Sequence, residues 1–201
     1  MGTTLIAIRY EDGVIVAADS QTSSGSYISN RASNKISIIS DYIICLRSGS
    51  SADTQNMVDL VKNVVLKEQL EKDVALEVRA VAQLFRNLCY QRNLKSNCGF
   101  ICAGWDRFHG GQVYSIVQGG TIISTPLASS GSGSIFINSF CDANFKEKMC
   151  KKETKNLCIK AISLAIQRDV NSSGIIRICE ISRHGITRNS LLPSKIIEKT
   201  F

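Results

Sequence analysis

Short apolar runs with a period of two residues open the chain and predict β-strands. A strand over residues 4–10 turns at Glu11-Asp12-Gly13 into a second strand over residues 14–18. The second strand is an unbroken apolar run, which indicates burial on both faces. The polar stretch over residues 20–33 is rich in serine and threonine and predicts a loop with little regular structure. Two more strands are expected over residues 36–39 and 43–47.

The period then changes to 3.6 residues, which predicts two consecutive amphipathic helices. Ser50 and Asp53 resemble a capping box that starts the first helix directly after Gly49. The apolar stripe of the first helix is Met57, Leu60, Val61, Val64 and Val65. The stripe of the second is Val78, Val81, Ala82, Phe85 and Cys89.

Strand patterns return over residues 99–105, 112–117 and 121–124, and a glycine-serine turn follows at residues 129–134. A short helix comes next, and then a longer helix whose apolar positions are Leu157, Cys158, Ala161, Leu164 and Ala165. Residues 175–181 and 186–192 form a closing hairpin around Arg183-His184-Gly185. Strands and helices do not alternate one by one, so a doubly wound parallel sheet is disfavoured. We predict one α+β domain over residues 1–201, with two largely antiparallel sheets packed together and helix pairs outside.

Composition and charge argue against two classes of function, nucleic-acid binding and membrane association. The 201 residues are 44% hydrophobic and 20% charged, which is typical of a globular protein. The net charge of +7 could indicate nucleic-acid binding, but the basic residues are scattered and lack interleaved aromatics. A solvated surface, or contact with acidic protein neighbours, is the favoured interpretation. No apolar run approaches the ~20 residues of a membrane helix, so no membrane partner is expected.

The eight cysteines are scattered and mostly lie within apolar stretches. Because no secretion signal precedes them, they are expected to be buried and reduced. Cys98, Cys102 and His109 could be imagined as a zinc site, but the spacing is wrong and no second pair follows. Neither a metal nor a cofactor is therefore expected.

The histidines and the glycine-rich segment are poor candidates for catalysis, which leaves the N-terminus as a candidate site. The two histidines, His109 and His184, lie in predicted turns, where a histidine is more often exposed than catalytic. The Gly131-Ser132-Gly133 segment lacks the lysine of a phosphate-binding loop. Removal of Met1-Gly2 would give Thr3 a free α-amine, whose pKa of ~7.7 suits a base better than the ~10.4 of lysine. Such an amine could activate the hydroxyl of its own residue as a nucleophile; otherwise Thr3 is only a β-former opening a strand.

Five segments, in order and at matching intervals, resemble a mature proteasome beta subunit over Thr3 to about Pro193. They are Thr3-Thr4 with Gly13 to Asp19-Ser-Gln; Asn34-Lys35-Ile36; Arg47-Ser48-Gly49-Ser50-Ser51-Ala52-Asp53-Thr54; Ser130 to Ser134; and Arg168 to Gly174. The resemblance implies the four-layer αββα sandwich of the N-terminal nucleophile hydrolases. That fold agrees with the order of elements derived from the pattern.

The resemblance also implies a catalytic set. Thr3 Oγ1 would attack the scissile carbonyl, Lys35 would favour loss of the hydroxyl proton, and Asp19 would keep Lys35 charged. Gly49 would offer its N–H to the oxyanion at a helix start. Family residues that position the terminal amine correspond to Ser132, Asp169 and Ser172. Without the family match, Asp19 and Lys35 could equally be a structural salt bridge.

Substrate preference follows from Arg47, two residues before Gly49 and expected on the same face. A guanidinium beside the reacting carbonyl suits an acidic P1 side chain, and Arg before Ser-Gly-Ser resembles the caspase-like type of catalytic beta subunit. The alternative is that Arg47 pairs with a neighbouring acidic residue. The match implies further pocket positions that are polar or small: Thr22, Ser33, Ser37 and Ser51.

The resemblance implies a threonine-type endopeptidase that acts in ATP- and ubiquitin-dependent protein degradation. The sequence leaves two alternatives to this interpretation. Met1-Gly2 would be a propeptide remnant, and an uncut Gly2–Thr3 bond would leave the zymogen inactive. A non-catalytic beta subunit that keeps its extension has no need of the catalytic set. A bacterial HslV-type peptidase opens similarly but fits Arg47 poorly. Expected partners are other beta and alpha subunits in four stacked rings and unfolded polypeptides, in cytoplasm and nucleus.

Overall fold

Two five-stranded sheets, antiparallel throughout, form the centre of the protein. The computed structural model describes residues 2–24, 27–91 and 98–192. Met1, expected to belong to a propeptide remnant, and Pro193, near the end of the resemblance, lie outside this range. A separate two-stranded hairpin follows the second strand of the chain.

The elements have the following bounds. The strands are β1 (Leu5–Tyr10), β2 (Gly13–Ala18), β3 (Thr22–Ser24), β4 (Tyr27–Asn30), β5 (Ile36–Ser40), β6 (Ile43–Ser48), β7 (Gly99–Asp106), β8 (Gly110–Ile116), β9 (Ile122–Ser124), β10 (Leu127–Ser130), β11 (Ile176–Ser182) and β12 (Gly185–Leu191). The helices are α1 (Ser51–Lys72), α2 (Val78–Gln91), α3 (Ser134–Asn144) and α4 (Lys151–Arg168), with a short 3-10 helix at Gln118–Gly120. The first sheet has the strand order β10-β1-β2-β11-β12 and the second β5-β6-β7-β8-β9. The separate hairpin pairs β3 with β4.

Three apolar layers hold the elements together, as the alternating pattern of the strands requires. The middle layer lies between the two sheets and includes Leu5, Val16, Leu46 and Ile101. One outer layer packs α1 and α2 on the second sheet, and the other packs α3 and α4 on the first. The predicted αββα sandwich is confirmed.

Strand β2 shows why an unbroken apolar run was informative. All six of its residues are buried. Val14, Val16 and Ala18 face the second sheet, whereas Ile15 and Ala17 face the outer helices. The prediction that this strand is buried on both faces is confirmed.

Two segments differ from the sequence prediction. The expected irregular loop over residues 20–33 contains the β3–β4 hairpin, whose second strand is exposed at all four positions. Backbone hydrogen bonds rather than a buried apolar face hold this hairpin together. The sequence there has no alternation of apolar and polar residues that would predict a strand. The expected turn at residues 129–134 is also partly wrong, because β10 runs to Ser130 and pairs with β1.

The helix predictions are confirmed in position, but the buried face of α1 is only partly as predicted. Leu60 and Val64 are exposed, and Thr54 and Val58 are buried instead, because the face of α1 that packs on the second sheet is turned toward them. Ser50 caps α1, and its hydroxyl accepts a hydrogen bond from the Asp53 N–H at 3.5 Å. Every apolar position predicted to mark α2 is buried. Among the described residues, no helix combines the length and apolarity needed to span a membrane.

Candidate active site

Thr3 lies two residues before the start of β1 and is held by the loop that follows β10. The Thr3 N–H donates to Ser132 Oγ at 3.1 Å, and the Gly133 N–H donates to the Thr3 carbonyl at 3.2 Å. Gly131 has a φ of 92°, and a Cβ there would lie 2.1 Å from the Thr3 carbonyl oxygen. Only glycine lets this loop approach the first strand so closely. Thr3 itself is 5% exposed.

A carboxylate beyond α4 anchors this arrangement. Asp169 Oδ2 accepts hydrogen bonds at 2.7 Å from both Ser132 Oγ and Ser172 Oγ. Burial raises the pKa of Asp169, but the hydrogen bonds from Ser172, the Asn171 backbone and Ser132 outweigh that effect, and the pKa is lowered. Asp169 is therefore an anion at neutral pH that orients two hydroxyl groups.

Ser172 contacts Thr4 rather than the Thr3 nitrogen. Its Oγ lies 2.7 Å from Thr4 Oγ1, so Thr4 donates to Ser172 while Ser172 donates to Asp169. The Thr4 backbone N–H donates to Asp19 Oδ1 at 2.8 Å. Thr4, which the sequence analysis did not single out, thus connects both carboxylates of the site.

Asp19 and Lys35 form a buried ion pair beneath the nucleophile. Lys35 Nζ lies 2.8 Å from Asp19 Oδ1, and the two side chains are 8% and 0% exposed. Burial lowers the pKa of Lys35, an effect opposed by Asp19 and more weakly by Asp169. Burial likewise raises the pKa of Asp19, opposed by Lys35 and by backbone N–H groups of Thr4 and Gln21. Burial and mutual attraction thus act in opposite directions on each charge, and the contact with Asp19 holds Lys35 as a cation beside the nucleophile.

The carbonyl oxygen of Gly2 is the point where nucleophile and cation meet. Thr3 Oγ1 donates to it at 2.6 Å, and Lys35 Nζ donates to it at 3.0 Å. The Gly2–Thr3 peptide bond therefore lies against the two groups that could cut it. A Cβ at Gly2 would lie 2.0 Å from the Asn171 carbonyl oxygen, so a larger residue does not fit before Thr3 without a shift.

A cleft of about 240 Å³ opens beside Thr3. Arg47 and Lys35 contribute positive charge to it, and the described residues that line it include no acidic side chain. Arg47 Nη2 donates to the Asn34 carbonyl at 2.8 Å, while Arg47 Nε is buried with no hydrogen-bond partner among the described residues. Within that part of the chain Arg47 forms no ion pair, which argues against the alternative that it pairs with a neighbouring carboxylate.

The predicted pocket residues divide into two groups. Thr22, Ser33 and Ser51 line the cleft with Arg47 and Gly49, and Thr22 Oγ1 donates to Ser33 Oγ at 2.6 Å. Ser37 is not among the lining residues and pairs in register with Cys45 on β6. The prediction that Ser37 contributes to the pocket receives no support from this geometry.

Sequence reasoning missed three residues that line the cleft, Asn30, Asn34 and Thr54. Asn30 ends the unpredicted strand β4, and its amide gives no motif signal. Thr54 lies in the first turn of α1, four residues after the N-cap Ser50. Its closeness in sequence to Gly49 could have indicated that it lines the cleft. Gly49 has a φ of 102°, lines the cleft and lies between β6 and the N-terminal, positive end of α1.

The described histidines and cysteines lie elsewhere. The His109 side chain is 61% exposed, and His184 is exposed in the β11–β12 turn. Seven of the eight free cysteines are buried, and Cys150 is exposed. Burial raises the pKa of Cys102 to about 12. In residues 2–24, 27–91 and 98–192 no group of three metal-ligating side chains comes together.

Comparison with known proteins agrees with this arrangement. The family model described as "Proteasome subunit" matches residues 1–181. A probable proteasome subunit beta type-1 of Schizosaccharomyces pombe is 45% identical over 188 residues, covering 94% of this chain and 83% of the relative. A proteasome subunit beta type-6 of Dictyostelium discoideum is 42% identical, covering 95% and 89%. A proteasome subunit beta type-1 of Saccharomyces cerevisiae is 38% identical, covering 97% and 90%.

Proposed function

This chain belongs to the proteasome subunit family, and its relatives include proteasome beta subunits, which supports a peptidase role in the proteasome core. We propose that it is a catalytic threonine endopeptidase. We propose further that it cleaves preferentially after acidic residues. The observation that carries this proposal is the single cleft in which Thr3, Lys35, Gly49 and Arg47 meet.

Activation would begin at the Gly2–Thr3 bond. Thr3 Oγ1 attacks the Gly2 carbonyl carbon, and Lys35 Nζ stabilises the charge that develops on the carbonyl oxygen it already contacts. The Oγ1 proton passes to the Thr3 nitrogen as the bond between that nitrogen and the Gly2 carbonyl carbon breaks and an ester forms. Water then hydrolyses the ester to a Gly2 carboxylate and restores the Thr3 hydroxyl group, leaving the Thr3 amine free. The hydrogen bond to Ser132 Oγ would then hold that amine.

Peptide cleavage would use the same groups. The free amine, with a reference pKa of ~7.7, accepts the Oγ1 proton as Oγ1 attacks the substrate carbonyl. Lys35 disfavours protonation of the amine by its positive charge. Gly49 N–H stabilises the oxyanion, a contribution of roughly 3 kcal/mol for one such donor. The amine's proton goes to the leaving nitrogen, and water then releases the acyl group.

Charge in the cleft supports the proposed preference. An acidic P1 side chain would meet the Arg47 guanidinium, which lines the cleft and has Nη N–H groups beyond the one bonded to the Asn34 carbonyl. The neutral hydroxyl groups of Thr22 and Ser33 leave space for a carboxylate and present no repelling charge. A basic P1 side chain would face the Arg47 guanidinium, which has no paired carboxylate among the described residues that line the cleft.

Assembly with other proteasome subunits follows from family membership. We propose that the assembly consists of four stacked rings, acts on unfolded polypeptides and works in the cytoplasm and nucleus. Imaging of a tagged chain would test the compartments, and native mass spectrometry would test the stoichiometry.

The direct test of the proposed activity is cleavage of three matched peptides with acidic, basic or apolar P1 residues by the purified assembled core. We expect cleavage after the acidic residue, and its loss when this chain carries Thr3→Ala. Acidic-P1 cleavage that persists in Thr3→Ala would assign the activity to another subunit and leave this chain a structural role.

A further inference from the structure

Two serine hydroxyl groups join the central sheets next to the active site. Ser48 ends β6 in the second sheet, and Ser130 ends β10 in the first. Their Oγ atoms lie 2.9 Å apart. Ser48 Oγ donates to the Gly99 carbonyl at 3.1 Å, so the hydrogen between the two hydroxyl groups comes from Ser130.

The neighbouring strand leaves room for this pair. Gly99 opens β7 and is the register partner of Ser48. A Cβ at Gly99 would lie 2.9 Å from Ser48 Oγ and 3.2 Å from Ser130 Oγ. The absence of a side chain at this position therefore allows the two hydroxyl groups to meet.

Each serine directly precedes a glycine with positive φ that contacts the reaction centre. After Ser48 comes Gly49, the proposed oxyanion donor, with a φ of 102°. After Ser130 comes Gly131, which has a φ of 92° and packs against the Thr3 carbonyl. Ser132 follows, and its Oγ accepts a hydrogen bond from the Thr3 N–H. The oxyanion donor belongs to one sheet and the nucleophile to the other, so their separation depends on how the two sheet ends are joined.

We infer that the Ser48–Ser130 hydrogen bond positions the oxyanion donor relative to the threonine nucleophile. Both are positioning residues, since neither contacts the reacting atoms. The inference rests on the proposed function, because it concerns the rate of Thr3-dependent cleavage. Productive attack requires reacting groups held closely in place, so loosening this link lowers turnover more than substrate binding.

The test uses the assembled core with this chain as wild type, Ser48→Ala, Ser130→Ala or the double variant. Ser129→Ala is the matched control, because the adjacent Ser129 hydroxyl bonds to Asn138 on the exposed side. A peptide electrophile that labels the terminal threonine counts the processed sites. Poor assembly then reduces the number of sites without changing kcat per site.

We expect each single variant to lower kcat per site about three- to tenfold, as for the loss of one hydrogen bond, with KM changed less than about twofold. The double variant should match Ser48→Ala, because Ser130→Ala removes nothing further once the bond between the two hydroxyl groups is lost. Ser130→Thr, which keeps the hydroxyl group, should retain kcat, and Ser129→Ala should match the wild type.

Three results would overturn the inference: unchanged kcat in both single variants, losses that multiply in the double variant, or a rise in KM without a fall in kcat. Each presupposes a wild-type core whose cleavage depends on Thr3. If Thr3→Ala keeps the full activity of the wild type, the proposed function fails instead.

Discussion

Arg47 gives the sharpest test of substrate preference. Replacing it by Met keeps a long side chain along the same path and removes the guanidinium. The guanidinium is half-buried, donates to the Asn34 carbonyl at 2.8 Å and keeps Nε free of partners within the described residues. The remaining Nη N–H groups of this cleft-lining guanidinium are available to a substrate carboxylate.

The expected magnitude follows from the loss of a charged hydrogen-bond donor in a partly buried cleft. Hydrogen bonds to charged groups contribute about 1.5–3 kcal/mol. We therefore expect Arg47→Met to lower kcat/KM for an acidic-P1 peptide roughly 10- to 150-fold. Cleavage of the matched apolar-P1 peptide should fall little or rise, because the positive charge no longer faces it.

The assay compares both peptides in assembled cores, per titrated Thr3 site. Arg47→Lys should fall between wild type and Arg47→Met, because it keeps the charge but loses the planar pair of donors. Ser37→Ala should match the wild type, because Ser37 does not line the cleft. An acidic preference that survives Arg47→Met would refute the reasoning.

Three further predictions concern the support of the nucleophile. Gly131→Ala should strongly reduce the fraction of chains processed to Thr3, measured by mass spectrometry, because its Cβ would lie 2.1 Å from the Thr3 carbonyl oxygen at a φ of 92°. Thr4→Val should lower kcat about fivefold by removing the donor to Ser172, whereas Thr4→Ser should restore it; equal rates for Thr4→Val and wild type would contradict this role. Because hydrogen bonds lower the pKa of Asp169, its ionised form stabilises the fold above the ordinary value of 3.8, and that stability is lost as pH falls through the depressed pKa. The stability difference between wild type and Asp169→Asn, followed by circular dichroism, should therefore shrink below pH 3.8, and a difference that grows there would contradict the assignment.

Elements with a continuous apolar face were predictable from the sequence. The buried run of β2 and the stripe of α2 determine both the element and its direction of burial. The β3–β4 hairpin was not predictable in this way, because its exposed strand β4 has no buried face. Strand β10 is short and ends in the serine-glycine segment, so its pairing with β1 is a tertiary effect that local composition does not report.

The site was predictable by residue type but not by contact. Spacing and family resemblance indicated Lys35 and Asp19, and the structure pairs them at 2.8 Å. They did not indicate that Ser172 bonds to Thr4, or that Asn30 and Thr54 line the cleft. Those contacts depend on the relative placement of segments far apart in sequence, which local patterns do not encode.

The intact mass of this subunit, taken from the assembled core, tests the central claim most directly. We predict a chain that begins at Thr3, with the Gly2–Thr3 bond cut and the α-amine free to act as base. A chain that still carries Gly2 in the mature core would contradict catalysis by Thr3, since the amine would remain blocked in an amide.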